Sequence, residues 1–170
     1  MKGKITPLNK YRGQVTLVVN VASECGYTDG HYKALVQLQN ELGGQGKFNV
    51  LAFPCNQFGG QEPQDNAAIL RFAQTNYKVK FPIFAKINVI NTNVPPVWKF
   101  LIEKSGHAPT WNFWKYLIDG NGQVINAWGP WVSVEQIKAD VVKTYQENIE
   151  QEMFTWRRTL ISCVYTYKTV

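Results

Sequence analysis

The chain has 170 residues, of which 45% are hydrophobic, 14% aromatic and 18% charged. That length fits one domain, and that apolar content can bury a core, which excludes disorder of the whole chain. No apolar run approaches the roughly 18 residues that a membrane-spanning helix needs. The three cysteines are too few for a disulfide-stabilised scaffold.

The formal net charge is +6, from 18 basic and 12 acidic residues. A basic surface can attract nucleic acid, anionic lipid or acidic protein. The basic residues are scattered, however, and the densest pairs are Lys2 with Lys4 and Arg157 with Arg158. Because no basic helix or zinc-finger spacing accompanies them, we expect an ordinary soluble surface and no nucleic-acid partner.

Hydrophobic spacing and turn residues predict strands and helices along most of the chain. In chain order, they predict a buried strand at 15–22, a helix at 31–42, a strand at 48–53, a helix at 67–73, an extended piece at 81–87, a helix at 95–104, and strands at 112–118 and 123–128. Ser133 and Gln136 have the spacing of a capping box, which predicts a last helix. Beyond residue 150 the pattern weakens and predicts no element.

The order β-α-β-α-(β)-α-β-β-α indicates the fold class. A β-α-β start implies a parallel strand pair with a right-handed crossover, and the late hairpin adds antiparallel strands. We therefore expect an α/β protein with a thioredoxin-like mixed sheet and helices on both faces. This domain would occupy residues 1–150. Residues 151–170, which include Cys163, would form a tail to which no role is assigned.

Cys25 lies just after the first predicted strand and near the start of a helix. Ligand and catalytic sites of open α/β sheets gather at this end of the strands. A helix N-terminus also stabilises a thiolate, which could attack the O–O bond of a peroxide and become a sulfenic acid. An inert buried cysteine fits the same position equally well, so position alone leaves both interpretations open.

Two other kinds of cysteine chemistry are disfavoured. Thr28 stands where the second cysteine of a Cys-x-x-Cys motif would be, so dithiol exchange from this turn is not expected. The cysteines and the histidines, His31 and His107, show none of the close ligand pairs that metal sites use. Both histidines lie in polar segments, and we expect them to be solvated.

Three sequence blocks resemble the glutathione peroxidase family. They are Asn-Val-Ala-Ser-Glu-Cys-Gly-Tyr-Thr at 20–28, Leu-Ala-Phe-Pro-Cys-Asn-Gln-Phe-Gly at 51–59 with Gln-Glu-Pro at 61–63, and Trp-Asn-Phe-Trp-Lys-Tyr-Leu at 111–117. The blocks occur in the family's order, and the resemblance covers about residues 3–149. It implies a thioredoxin-like fold and reduction of hydrogen peroxide or organic hydroperoxides, with a thiol as reducing substrate and no cofactor.

The resemblance also implies which residues act. Cys25 matches the family's peroxidatic cysteine or selenocysteine, and Gln61, Trp111 and Asn112 match the polar residues that accompany it. Amide and indole N–H groups can donate hydrogen bonds to a thiolate or to a departing oxygen. On residue type alone, Trp111 would instead be assigned to the core.

Cys55 lies in the second block, and the resemblance implies a possible resolving role for it. Thioredoxin-using relatives carry their resolving cysteine in the next helix, whereas residues 67–76 contain none. The pattern most resembles the endoplasmic-reticulum, cysteine-type branch, in which oxidation passes to protein disulfide isomerase and the Cys55 equivalent can take part. A disulfide between Cys25 and Cys55 requires Cα atoms within about 7 Å. A purely structural Cys55 stays open.

The short segment from Lys86 to Trp111 resembles the monomeric subgroup, which lacks an interface loop. The resemblance implies a trimmed N-terminus, and it implies the endoplasmic-reticulum lumen or secretory pathway, with the cytoplasm as alternative. Expected partners are a peroxide and either glutathione or a protein dithiol of the disulfide-isomerase or thioredoxin type. Two other functions stay open: a redox relay that oxidises a bound partner with little turnover, and a binding module with an unreactive Cys25.

Overall fold

The computed structural model describes residues 6–166, with side chains described as far as residue 155. The elements occur in the predicted order, and two short 3-10 turns, Leu8–Tyr11 and Gly43–Gln45, accompany them. The strands and helices are β1 (Val15–Val21), α1 (Thr28–Leu42), β2 (Phe48–Pro54), α2 (Asn66–Tyr77), α3 (Pro96–Ser105), β3 (Lys115–Ile118), β4 (Val124–Trp128) and α4 (Val134–Thr166).

The four strands form one mixed sheet in the order β2-β1-β3-β4. β1 is parallel to β2 and antiparallel to β3, and β3 and β4 form the predicted hairpin. The predicted extended piece lies along β2, where Ile83 pairs with Ala52 in parallel. These directions place the carboxyl ends of β1, β2 and β4 and the start of β3 at the same edge of the sheet.

An apolar core lies on each side of the sheet. Successive side chains of a strand point to opposite faces, so β1 and β2 contribute to both cores. One core packs the sheet against α1, α2 and α4, and the other packs it against α3. The α/β class and the thioredoxin-like sheet with helices on both faces are therefore confirmed.

The last helix begins as the sequence predicts and runs further. Ser133 N–H donates to Gln136 Oε1 at 2.8 Å and Gln136 N–H donates to Ser133 Oγ at 3.3 Å, which is the reciprocal bonding of a capping box. The helix continues to Thr166, so residue 150 lies inside it. The side chain of Cys163 lies outside the described residues. Within residues 6–166, no helix is long and apolar enough to cross a membrane.

Candidate active site

Cys25 lies in the turn between β1 and α1, where its thiol is free and the residue is 8% exposed. Its backbone N–H donates to Thr28 Oγ1 at 3.1 Å, and the Thr28 hydroxyl donates to the Ala22 carbonyl at 2.8 Å. The Thr28 N–H returns a hydrogen bond to the Cys25 carbonyl at 3.0 Å. The residue that takes the place of a second cysteine therefore fixes the shape of this turn.

The loop after β2 approaches the Cys25 turn through two hydrogen bonds. The Glu24 N–H donates to the Gln61 carbonyl at 3.0 Å, and the Ser23 hydroxyl donates to the Glu62 carboxyl group. Asn56 Oδ1 accepts from the Glu62 N–H at 2.8 Å, which closes the loop on itself. Gln61 is thus held next to the residues that precede Cys25.

Asn20 holds the third segment, the turn from Trp111 to Trp114. Its Nδ2 donates to the Trp111 carbonyl at 3.0 Å, and its Oδ1 accepts from the Trp114 N–H at 2.9 Å. Its own carbonyl accepts from the N–H of Phe113 at 2.7 Å, and Phe113 has a positive φ of 65°. The tight turn explains why β3 begins at Lys115 and not at the predicted residue 112. Asn20 was not predicted as a site residue, although a lone amide in an apolar β-branched strand was a usable signal.

Asn112 and Gln61 form an amide pair, in which Asn112 is buried and Gln61 is half-buried. Asn112 Nδ2 donates to Gln61 Oε1 at 3.0 Å and to the Phe58 carbonyl at 3.2 Å, so both of its N–H groups are used. The reversed amide would place Asn112 Oδ1 against two acceptors, which fixes the orientation. Among the described residues, Gln61 Nε2 has no partner, and Asn112 Oδ1 is buried without one. Because Asn112 Oδ1 is buried, the group that the pair offers to a substrate is the Gln61 Nε2 donor.

Trp111 is 37% exposed, so it lies at the surface of the site and not in the core. Its ring packs closely over Gly59, where an added Cβ would stand 3.3 Å from Trp111 Cη2 and 3.4 Å from Gln61 Cδ. Gly59 also has a positive φ of 67°, which favours glycine. The absence of a side chain at Gly59 lets the indole of Trp111 and the amide of Gln61 come together.

Cys55 lies on the other side of the sheet from Cys25. It is fully buried in the core that packs against α3, whereas Cys25 belongs to the core that packs against α1. Burial raises the pKa of the Cys55 thiol, and the Gln57 N–H donates to its sulfur at 3.5 Å. A disulfide between Cys25 and Cys55 would require local rearrangement, so the resolving role stays a prediction.

The expectation that His31 is solvated is wrong. Its side chain is buried in the first turns of α1, and its Nε2 lies 3.2 Å from Nζ of the fully buried Lys115. Burial and the nearby Lys115 charge lower the pKa of His31 to about 4. His107 is exposed, as expected. The sequence missed the pair because its members lie 84 positions apart.

Solved structures of other proteins share this architecture. The chain superimposes on the T. cruzi protein GPX1 with a TM-score of 0.68 and 37% identity, covering 85% of this chain and 90% of that one. A thiol:disulfide interchange protein of Chlorobium tepidum gives a TM-score of 0.61 at 16% identity, covering 84% and 88%, and this likeness shows the fold alone. The class is therefore that of thioredoxin-like α/β proteins.

The sequence comparisons define the family within that class. The family profile described as glutathione peroxidase matches residues 1–102. Glutathione peroxidase 7 of Bos taurus is 59% identical over 141 residues, which cover 83% of this chain and 75% of that protein. Probable glutathione peroxidase 8-B of Xenopus laevis is 45% identical over 148 residues, covering 87% and 70%. The chain belongs to the glutathione peroxidase family and is a thiol-dependent peroxidase.

Proposed function

We propose that Cys25 is the peroxidatic residue and that Gln61, Trp111 and Asn112 form its polar surroundings. The hydrogen bond between Asn112 and Gln61 carries this proposal, because it joins two separate loops at a point where the Gln61 backbone also contacts Glu24. In the reaction, the Cys25 thiolate attacks one peroxide oxygen. The S–O bond forms as the O–O bond breaks, and the leaving oxygen takes up a proton to depart as water or an alcohol.

The amide pair has a division of roles in this proposal. Asn112 uses both its N–H groups on Gln61 and Phe58, so it does not donate to the reacting atoms. Its role is to orient Gln61, whose Nε2 is the donor to the oxygen on which negative charge develops. The partly exposed indole of Trp111 packs at Gly59, next to the Gln61 side chain.

The second half-reaction needs a thiol. Its sulfur attacks the sulfenic sulfur of Cys25, an S–S bond forms and water leaves, and a second thiol then releases Cys25 in its reduced form. The burial of Cys55 on the opposite side of the sheet favours direct attack by an external thiol, either glutathione or a protein dithiol of the disulfide-isomerase or thioredoxin type. The route through Cys55 is the alternative, and it requires the segment after β2 to open.

We further propose that the protein works as a monomer and without a bound cofactor. The short segment between Lys86 and Trp111 supports the first point. The second follows from the chemistry, because sulfur supplies both the nucleophile and the two electrons that reduce the peroxide. The relay with little turnover is not favoured, since the relatives are named as peroxidases.

A peroxide-consumption assay tests the proposal. The reduced protein is mixed with hydrogen peroxide and either glutathione or a reduced protein dithiol, and peroxide loss is followed for the wild type, Cys25→Ser and Cys163→Ser, the last as a matched control. We expect Cys25→Ser to lose turnover with every reductant and Cys163→Ser to keep it. Turnover retained by Cys25→Ser would overturn the proposal, and the faster reductant in the wild type identifies the thiol class.

A further inference from the structure

Lys115, at the start of β3, is a fully buried lysine whose ammonium group has three acceptors. Its Nζ donates to the Phe113 carbonyl at 2.9 Å and to the Gly129 carbonyl at 3.0 Å, and it lies 3.2 Å from His31 Nε2. Three acceptors match the three N–H groups of a protonated lysine. Within residues 6–155, Lys115 forms no ion pair with a carboxylate, so its hydrogen bonds go to two turns and one imidazole.

The contacts of His31 fix which atoms carry the protons. Its Nδ1 lies 3.1 Å from the Tyr27 carbonyl, and its backbone N–H donates to the same oxygen at 3.1 Å. Because a carbonyl only accepts, Nδ1 carries the hydrogen, and Nε2 has a lone pair for Lys115. The charged group that faces His31 from α4 is Glu135. The pair therefore holds one positive charge, on Lys115.

The pair connects the two turns that hold the proposed catalytic residues. Tyr27 comes two positions after Cys25, and Phe113 comes directly after Asn112. The His31 ring also packs against the Phe113 ring, with centroids 4.9 Å apart, and against the Tyr27 ring at 5.7 Å. Hydrogen bonds and ring contacts thus run from the Cys25 turn through His31 to the Asn112 turn.

We propose that Lys115 and His31 are positioning residues for peroxide reduction, and that their hydrogen bond sets the separation between the Cys25 turn and the turn that carries Trp111 and Asn112. The inference rests on the proposed roles of Cys25 and Asn112. Neither Lys115 nor His31 touches the reacting atoms. Their effect is on geometry, to which reaction rates are sensitive because a small misplacement of a catalytic group costs a large factor in rate.

The protonation state of the pair supplies a readout that a purely structural role would not move. Burial lowers the pKa of Lys115 to about 7, and burial with the Lys115 charge lowers that of His31 to about 4. Between these values, the ammonium serves all three acceptors. Above about 7, the neutral amine has two N–H groups and its lone pair faces an acceptor, so the bridge weakens. The contribution of Lys115 to the rate should then decline.

Stopped-flow oxidation of Cys25 by hydrogen peroxide at pH 5.5–8.5 tests the inference, in the full chain. Lys115→Met keeps the length of the side chain and removes its N–H groups, and Lys99→Met at an exposed position of α3 is the matched control. We expect Lys115→Met to react roughly 10-fold more slowly than the wild type at pH 6. The ratio of the wild-type rate to the Lys115→Met rate should fall towards one as the pH rises through about 7. The rate of Lys99→Met should equal that of the wild type at every pH.

His31→Phe keeps the ring contacts and removes both ring nitrogens, so it carries the test if Lys115→Met does not fold. It should slow the reaction in the same direction at pH 6, and where both variants fold, the double variant should be no slower than the slower single one. Rates of the tested variant within twofold of the wild type at pH 6, or a rate ratio that does not change with pH, would overturn the inference. Cys25→Ser distinguishes failure of the proposed function from failure of the positioning role. If Cys25→Ser is active, the proposed function is refuted. If Cys25→Ser is inactive and Lys115→Met is unaffected, only the positioning role is refuted.

Discussion

Asn112 donates a hydrogen bond to Gln61, with 3.0 Å between Asn112 Nδ2 and Gln61 Oε1. This bond occupies the acceptor end of the Gln61 amide and leaves Nε2 available as a donor. An amide in position 112 therefore decides which end of the other amide can act on a substrate. The arrangement assigns donation to Gln61 alone, whereas the residue types by themselves would let both amides donate.

Replacing Asn112 with Asp tests this relationship. A carboxylate cannot donate to Gln61 Oε1 or to the Phe58 carbonyl, so the Gln61 amide should lose its orientation. We expect the second-order rate of Cys25 oxidation by hydrogen peroxide to fall roughly 10²-fold, which is typical of losing one preorganised donor. Stopped-flow measurement gives the rate, with the exposed Asn126→Asp as the matched control. A rate for Asn112→Asp within threefold of the wild type would refute the assigned orientation.

Asn20 should be a stability determinant as well as a support for the turn from Trp111 to Trp114. Asn20→Ala leaves the Trp111 carbonyl and the Trp114 N–H without their partner. Because each buried unsatisfied group costs about 1–3 kcal/mol, we expect the free energy of unfolding to fall by about 2–4 kcal/mol. Urea denaturation measures this, with Asn49→Ala as the comparison, because the Asn49 amide donates to Gln14 and to no other described residue. A loss for Asn20→Ala no larger than that of Asn49→Ala would contradict the role.

His31 should make the protein less stable in acid. Burial lowers its pKa from 6.5 to about 4, so the unfolded chain binds more protons between these values and stability rises with pH across that window. The stabilisation is complete above about pH 6.5 and is lost as the pH falls towards 4. In the wild type, this effect should lower the free energy of unfolding by on the order of 2–3 kcal/mol between pH 6.5 and 4, and His31→Phe should remove it. Urea denaturation at several pH values measures the slope, with His107→Phe as the matched control. An unchanged slope in His31→Phe would contradict the assignment.

Glu62 should have the opposite pH dependence. Its carboxyl group is buried, one oxygen accepts from Ser23, and the other has no partner among the described residues. Burial raises its pKa, so the folded protein holds the proton more tightly than the unfolded chain does. The resulting stabilisation is complete below the ordinary pKa of a glutamate and is lost as the pH rises through the raised pKa of Glu62. Glu62→Gln, which cannot ionise, should therefore unfold at a higher urea concentration than the wild type at pH 8, with little difference at pH 4. Glu24→Gln is the exposed control, and a less stable Glu62→Gln at pH 8 would count against this assignment.

The sequence predicted the order and type of the elements because their apolar periodicity is local. The strand predicted at 15–22 ends one residue after β1, and the helix predicted at 95–104 begins and ends one residue before α3. Long-range polar contacts leave no such periodicity. Asn20 finds its partners 91 and 94 positions away, and the Lys115 contact turns the polar His31 into a core residue. The end of α4 was missed because its β-branched and aromatic residues weaken the helical pattern.

The cysteine residues also show the difference between what local sequence patterns predict and what they do not. The position of Cys25 after a buried strand was sufficient to single it out as a candidate, and its catalytic role stays a prediction. The placement of Cys55 on the other side of the sheet follows from the strand alternation that β2 continues to its end. The number of residues between Cys25 and Cys55 does not by itself show that they lie on opposite sides of the sheet.

Trapping of the first oxidised sulfur tests most directly whether Cys25 is the peroxidatic residue. Reduced protein is mixed with one equivalent of hydrogen peroxide in the presence of dimedone, which captures sulfenic acids, and mass spectrometry then locates the adduct. The proposed mechanism predicts an adduct on Cys25 within the first turnover, at an unchanged rate in Cys55→Ser. A first adduct on Cys55 or Cys163, or no adduct while peroxide is consumed, would contradict it.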